Sequence, residues 1–168
     1  MKGTRWKLGL LLMMSVVMSF GIWGCGKKQE AQTRKISIET LQETMLQADT
    51  TLPEMEITGS EEEDGELNFT ALCDFEYKDV ESYFYAFAKD GTPEEIAVIG
   101  LQDSNDAAMC MNSLKKHLEN RKGTLQEYSP ESVDLVENAI ITRKENYVTL
   151  IVSEKNGLVQ EAFKEALK

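Results

Sequence analysis

The chain has a single histidine, His117, among its 168 residues. That scarcity excludes multi-histidine zinc and iron sites, which gather several imidazole or thiolate ligands around one ion. Other chemical signatures are missing as well. There is no Gly-rich phosphate loop, no C-x-x-C pair and no G-x-S-x-G elbow. The acidic run Glu61-Glu62-Glu63-Asp64 lacks the alternating Asp/Asn ligands, the glycine and the terminal Glu of a calcium loop, so it reads as solvated charge. Ser113-Leu-Lys-Lys116 spells S-x-x-K, but its companion S-D-N and K-T-G motifs are absent. It reads as an ordinary exposed helix face. Cations are also few: 18 Lys and Arg against 29 Asp and Glu leave a net charge of −11. Nucleic acid, which needs a basic face, is excluded as a partner. No metal or other cofactor is expected.

Long hydrophobic runs are lacking too. The one apolar stretch, Leu8 to Trp23, is 16 residues long and is loosened by Gly9, Ser15, Ser19 and Gly21. A comfortable bilayer span needs about 20 residues. The stretch follows the basic residues Lys2, Arg5 and Lys7, and it lacks the A-x-A-like site of an ordinary signal peptide. It ends instead in Ile22-Trp23-Gly24-Cys25, which resembles the lipobox of bacterial lipoproteins; Trp23 stands where a small or β-branched residue is usual. The resemblance implies that residues 1–24 are a signal peptide, cleaved before Cys25. Cys25 would then carry a diacylglycerol thioether, often with a further fatty acyl group, of the palmitate kind, on the new N-terminus. Two chains anchor stably where one binds only marginally. The expected location is the extracytoplasmic face of the cell membrane.

Loss of residues 1–24 removes three cations and no acid, so the charge becomes −14. Residues 25–35 hold Lys27, Lys28, Arg34 and Lys35 against Glu30, a net +3 beside the lipid. Such a collar suits an anionic membrane surface. Residues 25–37 read as the lipidated start and a tether, and residues 38–168 as one domain. Its acidic surface is expected to keep it soluble and monomeric.

Within that domain, Ser37 caps a first helix containing Ile38, Leu41, Met45 and Leu46 at helical spacing. Residues 50–66, with Pro53, Gly59, Gly65 and the acidic run, read as a mobile loop. Val80–Lys89 and Glu95–Leu101 form one predicted hairpin, broken at Asp90-Gly91-Thr92-Pro93. Asp103 or Ser104 starts a helix whose Ala107, Ala108, Met111, Leu114 and Leu118 share a face; Ser129-Pro130 opens a shorter helical piece. Ala139–Thr142 and Tyr147–Ser153 form a second hairpin, and an amphipathic helix containing Val159 and Phe163 closes the chain. The expected fold is α+β: a helix, then ββαββα, giving a four-stranded, mainly antiparallel sheet with helices packed on one face.

From Asp79 to Leu167 the chain resembles domain of unknown function 4358, a family of predicted lipoproteins of Gram-positive bacteria. The resemblance rests on Asp79-Val-Glu-Ser-Tyr83, Pro93-Glu-Glu-Ile-Ala-Val98, Leu135-Val-Glu-Asn-Ala-Ile140 and Asn146-Tyr-Val-Thr-Leu-Ile-Val152. Their order and spacing carry the match. It implies a shared fold and an envelope location, and it supplies no activity.

Two features remain as candidates for function. The aromatic strand puts Tyr83, Tyr85 and Phe87 on one face, with Thr149 in the same register. That face is either a patch for a partner protein or envelope polymer, or core packing under the first helix. Cys73 and Cys110 are either a disulfide or two free thiols, and their spacing does not decide which. Cys110 and His117 lie two helical turns apart, about 10.5 Å, too far for a thiolate–imidazole pair. The leading expectation is a lipid-anchored, non-enzymatic binding or accessory module with no catalytic residue. The alternatives are a small envelope enzyme using Cys73 or Cys110, and a purely structural surface lipoprotein.

Overall fold

The first helix, α1 (Ile38–Ala48), begins where Ser37 predicts, with its Oγ accepting from the Thr40 N–H at 3.2 Å. That bond satisfies one of the orphan donors of the first turn. Leu41 and Met45, four residues apart, are the fully buried positions of α1. The structure, a computed structural model, describes residues 36–168. Cys25 and the rest of the proposed signal and tether lie outside the described residues, apart from Ile36 and Ser37.

Five antiparallel strands follow: β1 (Met55–Gly59), β2 (Val80–Ala88), β3 (Glu95–Leu101), β4 (Ile140–Lys144) and β5 (Tyr147–Val152), in spatial order β1-β2-β3-β5-β4. Both predicted hairpins form. The expected four-stranded sheet gains a fifth strand, because β1 lies within the stretch read as a loop and pairs Met55–Gly59 with Ala88–Phe84. The loop reading is corrected there. β1 was hidden by its shortness and by having only Thr58 buried, so it shows no clean alternation. In the β2–β3 turn Gly91 takes φ +84°, a conformation that costs other residues energy.

The remaining helices are α2 (Gly65–Leu72), α3 (Ala107–Tyr128), α4 (Val133–Glu137) and α5 (Asn156–Ala166). They cover both faces of the sheet, which corrects the one-faced arrangement. On one side α1 and α5 pack over Phe84, Ala86, Ile96, Val98 and Ile151. On the other, α2, α3 and α4 pack over Tyr83, Tyr85, Ala97, Ile99, Val148 and Leu150. Because successive side chains point to opposite faces, a strand buried on both reads as a nearly continuous apolar run. β3 and β5 are buried at every position.

The face of α3 that meets the sheet also differs from expectation. Ala107, Cys110, Leu114 and Leu125 are its buried residues, while Ala108 is exposed. At helical spacing this stripe runs from Cys110 and Leu114 through His117 and Arg121 to Leu125. Gly123 does not break the helix.

Candidate functional site

β3 is the central strand, and its first residue is a glutamate. Glu95 is wholly buried, with 0% of its surface exposed. Three side chains converge on it. Tyr85 on β2 donates its hydroxyl to Oε2 at 2.7 Å, His117 on α3 brings Nε2 to within 2.9 Å of the same oxygen, and Arg121 places Nε 3.9 Å from Oε1. Register explains the first contact: Tyr85 faces Ala97 and Phe87 faces Glu95, so Tyr85 and Glu95 are diagonal neighbours on one sheet face. Helix period explains the other two, since residues four apart on α3 stack on the same face.

Taking a carboxylate out of water is costly unless it is paired and hydrogen-bonded. Oε2 has two hydrogen-bond partners; Oε1 and the Arg121 Nε are both buried without one, at a separation beyond hydrogen-bond reach. Burial, reinforced by the Glu95 charge and hydrogen bond, pushes the Tyr85 hydroxyl well above its usual value, so Tyr85 acts as a donor.

His117 also borders a second feature, a cleft of about 120 Å³ between the end of α2 and α3. Cys73, Asp74, Ser113, Lys116 and Asn120 are among its lining residues. Ser113 Oγ accepts from the Asp74 N–H at 2.7 Å, and Lys116 Nζ pairs with Asp74 Oδ2 at 3.0 Å, tying α3 to the segment after α2. Cys73 and Cys110 are both free and buried; their mutual interaction draws the Cys73 thiol below its usual value and, with burial, pushes Cys110 up. Burial works against the lowering at Cys73, while the Ser113 hydroxyl and the Phe75 N–H add to it.

The aromatic face proposed from the sequence sits in this same layer. Tyr83 and Tyr85 are buried and Phe87 is half-buried, all under α2, α3 and α4 rather than under α1. Tyr83 stacks edge-on against Phe69 of α2 at 5.2 Å and donates its hydroxyl to the Gly65 carbonyl at 2.6 Å. The candidate binding face is therefore core, because an apolar surface of that size is more stable covered than wet. Thr149 is not on it. It pairs with Val98 and lies on the opposite face, donating to the Ala97 carbonyl at 2.8 Å. His117 is of intermediate exposure, with its side chain 13% exposed. Ser113 and Lys116 both contact Asp74 at the surface.

Chemically, Glu95 fixes the His117 ring by holding its Nε2. Among the described residues, no cluster of three or more His, Cys, Asp or Glu side chains is placed to hold a metal ion. No helix among them is long and apolar enough to cross a membrane.

Comparison with protein families gives one finding. The model described as Domain of unknown function (DUF4358) matches residues 54–153. The match takes in β1 and α2, which precede the stretch that carried the resemblance, and it includes all five strands; α1 and α5 lie outside it. Neither the curated proteins nor the solved structures give a match.

Proposed function

We propose that this chain, which belongs to the DUF4358 family, works as a lipid-anchored, extracytoplasmic binding or accessory module. The single observation that carries the anchor is the motif Ile22-Trp23-Gly24-Cys25, placed after a basic start and a short apolar run. Cys25 takes the lipid, and residues 26–37 join it to the domain. At about 3.3–3.6 Å per residue that stretch reaches about 40 Å when fully extended. Its cations favour an anionic bilayer, while the acidic body is repelled from the same surface. The resemblance noted above supports an envelope location in a Gram-positive bacterium.

The domain's part in this reading is to hold a partner, an envelope protein or polymer, rather than to catalyse. With both faces of the sheet packed under helices, the partner meets helix surfaces, loops or sheet edges. Fractionation of cells expressing wild type and Cys25→Ala tests the anchor. Wild type is expected in the membrane fraction, and the variant is expected to be released or to accumulate unprocessed. An unchanged membrane fraction together with an unchanged size refutes it.

A further inference from the structure

We propose that the outer edge of β1 is a docking site for an extended peptide strand in which apolar and basic residues alternate. The proposal rests on the reading of the domain as a binding module, and not on the anchor.

Among the described residues, β1 is a terminal strand of the sheet, with β2 as its one neighbour. In an antiparallel pair, residues that exchange hydrogen bonds alternate with residues that do not. The Lys89 N–H donates to the Glu54 carbonyl at 2.9 Å, and the Ser60 N–H donates to the Tyr83 carbonyl at 3.1 Å. The register between those two points is unbroken. Glu56 and Thr58 therefore also bond to β2, while Met55, Ile57 and Gly59 turn their N–H and C=O outward. The Gly59 carbonyl is taken by the Glu62 N–H at 3.3 Å. Met55 and Ile57 keep their backbone donors and acceptors at the open edge, where an incoming strand completes them.

The side chains specify what that strand carries. Met55 and Ile57 share the α1 and α5 face; Met55 packs against that core, and Ile57 is 38% exposed. Glu54, Glu56 and Thr58 lie on the opposite face. Thr58 draws Glu62 to that side, donating its hydroxyl to Oε2 at 2.9 Å, within the acidic run Glu61-Glu62-Glu63-Asp64. Lys89 answers Glu54 at 2.7 Å. Residues opposite each other in neighbouring strands place their side chains on the same face. A strand on β1 thus sets apolar side chains beside Met55 and Ile57, and cations beside Glu56 and the acidic run.

A second copy of the chain fits less well. β1 against β1 brings acids together, which is destabilising. β4, the basic edge, has Arg143 and Lys144 on opposite faces, and both reach carbonyls of their own chain, those of Ser104 and Lys164. A glycan polymer has no run of N–H and C=O groups at strand spacing, so the occupant is a peptide.

The test titrates the full chain, in a nonionic detergent, with a fluorescent synthetic peptide that alternates Val and Lys. Two controls share its length. One has Glu in place of Lys; the other is N-methylated at alternate residues, which keeps the charge and removes the donors. The Val-Lys peptide is expected to bind and to slow amide exchange at Met55 and Ile57 by NMR, and each control to bind about tenfold more weakly or worse. Ile57→Pro removes one outward N–H and no bond to β2, a position where an edge strand tolerates proline. It should stay folded by circular dichroism and lose binding by a similar factor. Glu56→Lys, which does not depend on the proline variant folding, should shift preference from the Lys peptide toward the Glu peptide. Full binding of the N-methylated peptide, or of the Val-Lys peptide to folded Ile57→Pro, overturns the edge site while leaving the domain a binding module. An unchanged preference in Glu56→Lys, or no binding of the Val-Lys peptide to wild type, overturns it as well. So does slow exchange at Met55 and Ile57 before any peptide is added, because the edge is then already filled.

Discussion

The Glu95 carboxylate on β3 and the His117 ring on α3 meet at 2.9 Å, at the point where the long helix crosses the sheet. This contact anchors α3 to the central strand by a polar bond within an otherwise apolar layer. Removing one partner leaves the other buried and unsatisfied, a loss of about 3–5 kcal/mol for a buried charge. Glu95→Ala is expected to lower unfolding free energy by about that amount in urea titration. His117→Ala should cost less, about 1–3 kcal/mol, because Tyr85 still donates to Glu95. Additivity in the double variant would show that the two residues are not coupled.

Tyr85 provides an alkaline signature. Its folded value is raised by burial and by Glu95, so above pH 10 the unfolded chain loses this proton while the native one keeps it. The native state then binds more protons, and stability falls as pH rises beyond about 10. Stability curves of wild type and Tyr85→Phe should diverge in slope there, with wild type the steeper. Parallel curves would contradict the assignment.

At the other face, Asp49 joins the end of α1 to the turn after β5. Ser153 Oγ donates to Oδ2 at 2.5 Å, while the Thr51 N–H and hydroxyl donate to Oδ1 at 2.8 and 2.5 Å. Burial alone would raise the Asp49 carboxyl, but these donors and the Lys155 N–H hold it below its ordinary value of 3.8. In this case the unfolded chain binds the proton more readily. The contribution is therefore present above pH 3.8 and lost as pH falls through the lower native value. Asp49→Asn should cost about 1–3 kcal/mol at neutral pH and flatten the acid limb of the stability profile. An acid limb identical to wild type would refute this.

Both hairpins, α1 with its Ser37 cap and the closing helix were legible from the sequence, because apolar periodicity and turn residues act locally. β1 was not, since an edge strand takes its stability from pairing with β2 rather than from a buried pattern of its own. The cover over the second sheet face was missed for a related reason. Tyr83, Tyr85 and Phe87 look the same in sequence whether α2 and α3 cover them or water does. The polar cluster left a signal that was available. Extending the stripe Cys110–Leu114 by three and four residues lands on His117 and Arg121, and an acid at the head of an all-apolar strand completes the set. The placement of Cys73 and Cys110 in one core layer had none, because the packing that creates it is tertiary.

The anchor itself is tested most directly by the mass of the N-terminal peptide from protein extracted with detergent from membranes. The account predicts a peptide that begins at Cys25 and carries a diacylglyceryl group on its sulfur. A peptide that retains residues 1–24, with an unmodified Cys25 thiol, would contradict it.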